Sequence, residues 1–440
     1  MTRTKPIIII GGGLAGCEAA WQLTKRGHEV ALVDMKPGKL SPAHSSPRLA
    51  ELVCSNSLRS NEPTSAVGLL KEEMRRLDSL VIASADATSV PAGRALAVDR
   101  VLFSERIETT LQARQGLRIV RHECTEIPPG AHVIVATGPL TSDPLAAAIA
   151  QIVGQESLHF YDAIAPILDA GSIDRTKVFR ASRYDEGEGD YLNCPLDERQ
   201  YRDFRKDVLE GREIAARPFE DEKYFEGCLP IEILARRGED TLRFGPMKPV
   251  GLVDPRTGRE PHAVIQLRQE NRDGTMFNMV GFQTKLARPE QERIFRTIPG
   301  LEKVEFLRFG SIHRNTFIDS PMLLTDTLQL RANPDLLFAG QITGVEGYVE
   351  SAATGLLAGL FLHRIRLGSP FSIPPRTTAL GALLHHVSRA DGKGFQPMNV
   401  NFGLFEPLGR KVRKKDRGEH YRQRSLADLE EWVRQSGGAP

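Results

Sequence analysis

The chain has 440 residues, of which 40% are hydrophobic and 26% charged, a composition typical of a soluble globular protein with about two domains. Its formal net charge of +2 excludes a uniformly basic nucleic-acid-binding protein, so a nucleic-acid partner would require a local basic patch. No apolar stretch is long enough to cross a membrane and no signal peptide is visible, so we expect a cytoplasmic protein with no membrane partner.

The N-terminal stretch predicts a βαβ unit. Ile7–Ile10 is a run of β-branched residues that suits a buried strand, Cys17–Arg26 reads as a helix, and Val30–Val33 is a second strand that ends at Asp34. The turn between the first strand and the helix has the pattern G-x-G-x-x-G, which is typical of dinucleotide binding. The turn residues predicted to contact the cofactor are Gly11, Gly12, Gly13, Leu14, Ala15 and Gly16.

Each glycine of the G-x-G-x-x-G pattern has a physical reason. Gly11 permits the tight turn, Gly13 lets the backbone approach a pyrophosphate, and Gly16 lets the helix pack on the strand. The helix start offers unpaired N–H groups to the phosphates, and Asp34 can accept a hydrogen bond from a ribose hydroxyl. The alternative is a glycine-rich turn that only packs, and the acidic residue at the second strand end argues against it.

Further elements follow along the chain. We predict helices at Ser65–Leu77 and Val98–Gln112, a short strand at Arg118–Val120, and a buried strand that begins at His132 and runs into an Ala-Thr-Gly turn at Gly138. A strand with this ending is similar to one in two-dinucleotide-binding flavoproteins, where it returns the chain to the first sheet beside the cofactor. That similarity makes Gly138 a candidate cofactor-binding residue.

The pattern changes from residue 177 to residue 307, where charged and aromatic residues alternate with short strand-like runs and glycine–proline turns. We predict an inserted α+β domain there, between a first part (residues 1–176) and a second part (residues 308–440) of one cofactor-binding domain. In the second part, the strand Asp335–Phe338 leads to Gly340 and Gln341, and a helix N-terminus near Glu350 would face the cofactor. The usual flavoprotein pattern has Asp at the position of Gln341.

The C-terminal region is basic. Between Gly409 and Arg424 there are eight Lys or Arg residues against two acidic residues. This segment is interpreted either as a phosphate-binding surface or as a solvated, partly frayed tail, and the sequence leaves both interpretations open.

Three motifs together resemble one family, and the match runs nearly from end to end. They are the glycine-rich turn Gly11–Gly16, the segment Ala50–Arg59 that follows Ala43-His44, and the segment Gly340–Tyr348. The chain resembles the TrmFO family, the folate- and FAD-dependent tRNA (uracil-5-)-methyltransferases. This resemblance implies an α/β fold: an FAD-binding, Rossmann-like, doubly wound domain of the glutathione-reductase type with an inserted α+β domain.

The resemblance also implies an activity, which is methylation of the T-loop uridine of tRNA at C5. The carbon would come from 5,10-methylenetetrahydrofolate, and the electrons from NADPH or NADH through FAD. A methylene group is two electrons more oxidised than a methyl group, so a hydride source must lie beside the carbon donor. The partners implied are the tRNA T arm and folate, with no metal and no obligate protein partner.

The five cysteines are scattered and include no C-x-x-C pair, so we expect neither a disulfide framework nor a zinc site. Cys54 and Cys228 match the functional pair of the TrmFO family. We assign Cys228 as the thiolate that attacks uracil C6, and Cys54 as the partner that takes the C5 proton or holds the methylene group; the reverse assignment is open. The other three are expected to be small buried side chains, namely Cys17, Cys124 and Cys194.

Tyr348 either flanks the flavin and stacks with folate or is a plain core aromatic.

Three other functions compete with this interpretation. One is the FAD protein that modifies wobble uridines in tRNA with a GTPase partner. A second is an NAD(P)H-dependent flavin oxidoreductase of a small molecule, although that class often carries a redox C-x4-C motif and a second G-x-G-x-x-G, and neither occurs here. The third is a non-catalytic FAD-dependent RNA-binding protein, which the two matched cysteines argue against.

Overall fold

The structure is a computed structural model. It describes residues 5–154, 158–183, 189–214, 229–368, 371–389, 395–409 and 412–436, with only the backbone described at 158–164 and 311–315.

The predicted cofactor-binding domain is built around a six-stranded sheet. The strands of this sheet, whose bounds follow, have the order β16-β17-β7-β1-β2-β6. Its strands are β1 (Ile7–Ile10), β2 (Val30–Asp34), β6 (Leu117–Arg121), β7 (His132–Val135), β16 (Gln329–Leu330) and β17 (Asn333–Phe338). All neighbouring pairs are parallel except β16 with β17. The βαβ unit and the three later strands that the sequence predicts for this sheet (β6, β7 and β17) are therefore confirmed, and β1 lies between β2 and β7.

The described helices are listed here with their bounds: α1 (Leu14–Lys25), α2 (Ala66–Arg76), α3 (Leu80–Ala87), α4 (Arg100–Gln112), α5 (Asp143–Val153), α6 (Glu198–Glu210), α7 (Ile231–Arg237), α8 (Thr241–Phe244), α9 (Arg288–Phe295), α10 (Ser320–Leu323), α11 (Tyr348–Leu367), α12 (Ala379–Arg389) and α13 (Arg417–Gln435). Short 3-10 turns cover Ala170–Ser172 and Gln341–Thr343. None of the helices in the described ranges is long and apolar enough to span a bilayer.

Two predicted helix starts shift in the structure. The helix α1 begins at Leu14, directly after the glycine turn, rather than at Cys17. The helix predicted from Val98 begins at Arg100, because Asp99 caps it by accepting hydrogen bonds from the N–H groups of the next turn. Val98 itself is the last residue of a strand, so the prediction was wrong at that residue.

The helices α1 and α11 cross at very short range, and glycine makes this possible. A Cβ atom at Gly355 would lie 2.2 Å from the carbonyl oxygen of Ala15, and a Cβ at Gly359 would lie 3.0 Å from that of Ala19. Ala15 belongs to the dinucleotide turn. The long helix α11 therefore packs directly against the first turn of α1, and only residues without a side chain fit at the crossing.

We predict that Gly355→Ala lowers the free energy of unfolding by about 1–3 kcal/mol, because the added methyl group must push backbone away from backbone. Chemical denaturation of the apoprotein followed by circular dichroism measures the change. Leu367→Ala, at an exposed position near the end of the same helix, is the control and should change stability by less than about 0.5 kcal/mol. Equal stability of the Gly355 variant and the wild type would contradict the tight crossing.

A second six-stranded sheet, antiparallel, has the order β10-β11-β12-β13-β9-β14. Its strands are β9 (Ile167–Asp169), β10 (Phe179–Ala181), β11 (Tyr191–Leu196), β12 (Ala263–Gln269), β13 (Met276–Met279) and β14 (Phe306–Arg308). This sheet has its own hydrophobic core, which includes Leu168, Phe204 and Phe295. The α+β character of the predicted insertion is confirmed; β9 lies before residue 177, and the domain boundaries at residues 176/177 and 307/308 stay predictions.

Two smaller sheets complete the described part of the chain. One pairs β8 (Leu158–Ile164) with β15 (Ser311–Phe317), and the other has β5 (Ala95–Val98) between β3 (Ser57–Ser60) and β4 (Ser89–Val90). The β3 strand continues the segment Ala50–Arg59 that the sequence singled out.

The basic C-terminal region is helical over much of its length rather than a frayed tail. Tyr421, Leu429 and Trp432 of α13 are buried in the core of the cofactor-binding domain. The interpretation of this region as a solvated tail is therefore wrong from Arg417 onward. Arg410 and Lys411, which belong to the same basic run, lie outside the described residues.

Candidate active site

Two cavities adjoin between the carboxyl ends of the first sheet and the second sheet. The first encloses about 1060 Å³ of empty space, its open mouth included, and the second about 1310 Å³. Both are lined by Tyr348, Gln341 and Val53, so these residues lie at the junction. Cys54 lines the second cavity. The predicted cofactor residues that line the first cavity are Gly11, Gly12, Gly13, Leu14, Ala15, Asp34, Gly138, Gly340, Gln341 and Tyr348.

The glycines of the turn differ in whether a Cβ atom would collide with the protein or would enter the first cavity. Gly11 has a φ of +109°, and a Cβ there would lie 2.4 Å from the Ala136 carbonyl oxygen. Gly16 does not line the cavity; a Cβ there would lie 1.9 Å from the carbonyl oxygen of Gly11. Gly13 differs, because a Cβ there meets nothing within 4 Å and would enter the first cavity. The start of α1 leaves its first N–H groups free of helix partners at this point.

We therefore predict different results for two substitutions in one turn. Gly16→Ala should destabilise the apoprotein by about 1–3 kcal/mol and thereby reduce FAD content. Gly13→Ala should leave apoprotein stability unchanged, because its φ of −76° suits alanine and its Cβ meets no protein atom. It should nevertheless weaken FAD binding at least about tenfold, since the methyl group would occupy the space predicted for the pyrophosphate. Thermal unfolding of the apoproteins and FAD titration measure the two effects; full FAD affinity in Gly13→Ala would show that the cofactor lies elsewhere.

Asp34 is buried at the end of β2 and already holds the turn in place. One carboxylate oxygen accepts a hydrogen bond from the Gly12 N–H at 2.8 Å, and the other accepts one from the Lys36 N–H at 2.8 Å. A carboxylate has further lone pairs, so this arrangement leaves acceptor capacity on a group that lines the first cavity.

The opposite wall of the first cavity comes from later parts of the chain. Gly138 and Gly340 both have positive φ values, of 67° and 82°, so each turn needs glycine to bend at the end of its strand. The Gln341 side chain donates a hydrogen bond to the carboxylate of Glu346 at 2.6 Å. Where flavoproteins usually carry Asp, this chain therefore has an amide that is held by a neighbouring acid.

Cys54 and Tyr348 form a hydrogen-bonded pair at the junction of the cavities. The tyrosine hydroxyl lies 2.9 Å from the Cys54 sulfur, and it accepts hydrogen bonds from the N–H groups of Cys54 (2.7 Å) and Ser55 (3.2 Å). Burial, together with the nearby Cys54, raises the pKa of Tyr348 well above its ordinary value. The phenol therefore keeps its proton, and since its oxygen already accepts two N–H groups, that proton is available to the sulfur.

Three guanidinium groups hold the segment Leu52–Asn56 around this pair. The hydrogen bonds run from Arg100 to the Leu52 carbonyl (2.9 Å), from Arg308 to the Val53 carbonyl (2.7 Å) and from Arg268 to the Ser55 hydroxyl (2.7 Å). Positive charge beside a cysteine favours the thiolate, which is the nucleophilic and proton-accepting form. The arrangement can therefore support a thiolate at Cys54 while the backbone around it stays fixed.

The remaining cysteines divide into two groups. Cys17 and Cys194 are completely buried, and burial raises the pKa of both thiols, as expected for inert core side chains. Cys124 does not fit that expectation, because it is only half-buried and lines the first cavity, where its sulfur donates to the Glu126 carbonyl at 3.0 Å. Cys228, the second predicted catalytic residue, lies outside the described residues.

The sequence reasoning did not single out the arginines that surround Cys54. Arg268 gave a usable signal, since it is a charged residue that directly follows the mainly apolar run Ala263–Leu267, and all seven residues of β12 are buried. Arg100 and Arg308 gave none, because an arginine at a helix start and one at a strand end are ordinary surface positions.

Comparison with known proteins identifies the family. A model of the family described as Glucose inhibited division protein A matches residues 6–370. A protein of Syntrophus aciditrophicus (strain SB), named Methylenetetrahydrofolate--tRNA-(uracil-5-)-methyltransferase TrmFO, is 61% identical over 433 residues, which cover 98% of each chain. The protein of the same name from Geobacter sulfurreducens is 59% identical over 431 residues, 98% of this chain and 99% of its own. The chain belongs to the TrmFO family.

Solved structures show the fold of this TrmFO-family chain. GidA of Aquifex aeolicus in its form I crystal superposes with a TM-score of 0.72 at 18% identity, over 98% of this chain and 76% of that chain. The form II crystal gives a TM-score of 0.71 at 17% identity, over 98% and 74%. The predicted fold class is thereby confirmed, and the TrmFO resemblance seen in the three sequence motifs extends over nearly the whole chain.

Proposed function

We propose that this chain methylates C5 of the T-loop uridine of tRNA, with 5,10-methylenetetrahydrofolate as carbon donor and FAD, reduced by NADPH or NADH, as hydride source. One observation carries the proposal: relatives with the methyltransferase name match the chain from end to end at about 60% identity. The geometry supports it, because a dinucleotide-type cavity adjoins a second cavity at the Cys54–Tyr348 pair.

The residues of the first cavity fit FAD. Gly13 leaves space where a pyrophosphate needs close backbone approach, and the first residues of α1, whose N–H groups have no partner within the helix, line the same cavity. Asp34 has acceptor capacity for a ribose, and the Gly138 and Gly340 turns form the far wall. The Gln341 amide, held by Glu346, stands where a ribityl contact is usual. FAD supplies hydride transfer when it is bound there.

The second cavity would take the folate and the uracil, and Tyr348 borders it. For methyl transfer, a thiolate adds to uracil C6, and C5 then bonds to the methylene carbon as the first of its two folate C–N bonds breaks. The C5 proton leaves to a base and the second C–N bond breaks, which releases tetrahydrofolate and leaves an exocyclic methylene group on C5. A hydride then adds to that methylene group while the C6–S bond breaks, which gives the methyl product and returns the thiolate. Cys54 is assigned to accept the C5 proton or to hold the methylene group. Cys228 is assigned as the C6 nucleophile, and exchange of the two roles is the alternative.

The competing functions have less support. The oxidoreductase and the wobble-uridine enzyme do not account for full-length relatives that carry the methyltransferase name at 61% and 59% identity. The proposal also includes recognition of the T arm with phosphate contacts from the basic C-terminal region, a cytoplasmic location, and activity without an obligate protein partner.

The test incubates the purified protein with unmodified tRNA transcript, labelled methylenetetrahydrofolate and NADPH, and then analyses the nucleosides. We expect labelled ribothymidine, and none from a transcript whose T-loop uridine is replaced by cytidine. An isolated T-arm RNA should also be methylated without a partner protein. A yellow protein that forms no ribothymidine under these conditions would refute the proposed activity.

Cys228→Ala should keep FAD and lose methyl transfer, because without the C6 thiolate uracil C5 is a poor nucleophile. The measurement is the flavin spectrum of the purified variant alongside the rate of ribothymidine formation. Full methyl-transfer activity in this variant would show that Cys228 is not the C6 nucleophile.

A further inference from the structure

Arg59 has a backbone conformation that is uncommon for its residue type. Its φ is +64°, in the left-handed region, where a residue with a side chain is strained by about 1–2 kcal/mol. Such strain persists only where the surroundings fix the conformation, and it concentrates at functional sites. Arg59 lines the second cavity, a few residues after Cys54.

Neighbouring side chains fix this conformation. Lys71 is fully buried, and its ammonium group donates to the carbonyl of Leu58, the residue before Arg59, at 2.8 Å. The Arg59 N–H donates to the Ser57 hydroxyl at 3.0 Å. Burial of a lysine ammonium group costs free energy unless the group has hydrogen-bond partners. The hydrogen bond from Lys71 to the Leu58 carbonyl therefore indicates that the backbone conformation at Arg59 matters.

The guanidinium group of Arg59 is held by a hydrogen bond on one side and is accessible to solvent on the other. One of its terminal nitrogens donates to Glu350 at 3.0 Å, and the same Glu350 oxygen accepts the Val400 N–H at 3.1 Å. The Glu350 side chain is fully buried, whereas the Arg59 side chain is 44% exposed. A Cβ at Gly347 would lie 2.4 Å from the second Glu350 oxygen, so glycine there makes room for this carboxylate.

We propose that Arg59 binds an anionic group of a substrate in the second cavity and so positions that substrate beside Cys54. A guanidinium that is oriented by a buried carboxylate presents its remaining N–H groups in a fixed plane, which suits the paired oxygens of a phosphate or a carboxylate. Within the proposed function, on which this inference rests, that anion is either a tRNA phosphate or a glutamate carboxylate of the folate.

The test compares FAD-loaded wild type with Arg59→Gln and Arg59→Lys. Binding of unmodified tRNA transcript is measured at several salt concentrations, and binding of tetrahydrofolate with one or several glutamates is measured separately. A phosphate contact predicts about tenfold weaker tRNA binding in Arg59→Gln, partial rescue in Arg59→Lys, and a salt slope smaller by about one. A carboxylate contact predicts weaker folate binding, with tRNA affinity unchanged.

A double variant separates anion binding from a structural role. Arg59→Gln removes the ion-pair partner of Glu350, so Arg59→Gln/Glu350→Gln removes both members of that pair together. If the double variant recovers wild-type affinity for both substrates, Arg59 only neutralises Glu350 and the proposal is wrong. Unchanged affinity for tRNA and folate in a folded, FAD-containing Arg59→Gln would also overturn it. These are equilibrium binding measurements, so failure of methyl transfer itself would refute the proposed function and not this contact.

Discussion

Cys54→Ala is expected to lower the rate of methyl transfer by about 10²–10⁴-fold while the purified protein keeps its FAD. The rate falls because, in the proposed function, the Cys54 sulfur at the junction of the cavities accepts a proton or holds the one-carbon unit. FAD stays because Cys54 lines the second cavity and not the first. Ribothymidine formation under single-turnover conditions and the flavin absorbance spectrum measure the two quantities.

Cys194→Ala is the matched control for Cys54→Ala. It removes a thiol that is completely buried in the core of the second sheet, so activity and FAD content should stay at the wild-type level. If Cys54→Ala retained full methyl transfer, its sulfur would have no part in the chemistry. If it instead lost FAD, the segment Leu52–Asn56 would serve cofactor binding.

The second large effect is expected for Tyr348→Phe, which should slow methyl transfer by about 10²-fold. The tyrosine hydroxyl lies 2.9 Å from the Cys54 sulfur, and its removal takes away a hydrogen-bond donor that would stabilise a thiolate there. Alkylation of Cys54 by iodoacetamide as a function of pH measures this directly. The midpoint of that reaction should move to higher pH in Tyr348→Phe, because the thiol then releases its proton less readily.

Stability provides an independent measurement on the Tyr348→Phe variant. The N–H groups of Cys54 and Ser55 would lose their acceptor, which costs about 1–3 kcal/mol for each group that stays buried and unpaired. Wild-type stability together with an unchanged alkylation midpoint would mean that the tyrosine is a plain core aromatic, the other interpretation that the sequence left open.

Much of the fold was predictable, because it depends on local patterns. The run Ile7–Ile10 and the strand that begins at His132 are short apolar stretches bounded by glycine, and such stretches form buried parallel strands. The helix Ala66–Arg76 was predicted within one residue at each end because Ser65 caps it. The start of α4 was missed because Asp99 can both end a strand and cap a helix, and the sequence alone does not rank these roles.

The candidate site was predictable only in part, since it is assembled by long-range contacts. The residues of the glycine turn are close in sequence, and their chemistry can be read from their spacing. The contacts of Cys54 with Tyr348 and of Val53 with Arg308 join residues that lie more than 250 positions apart. The periodicity of hydrophobic residues along the chain does not indicate which distant residues are in contact. Only the family resemblance suggested that Cys54 and Tyr348 both lie beside one cofactor.

The close crossing of α1 and α11 has a mechanical consequence. The helix α11 begins at Tyr348, whose hydroxyl contacts the Cys54 sulfur, and two helical turns later Gly355 packs on the backbone of Ala15 in the nucleotide-binding turn. A single helix, α11, thus connects the Cys54–Tyr348 pair with the nucleotide-binding turn. We infer that a shift of the turn by a few tenths of an ångström would also shift the start of α11, because no flexible side chain lies between the two backbones at that contact. Binding of the cofactor at the turn and the position of the Tyr348 hydroxyl beside Cys54 are then expected to be coupled.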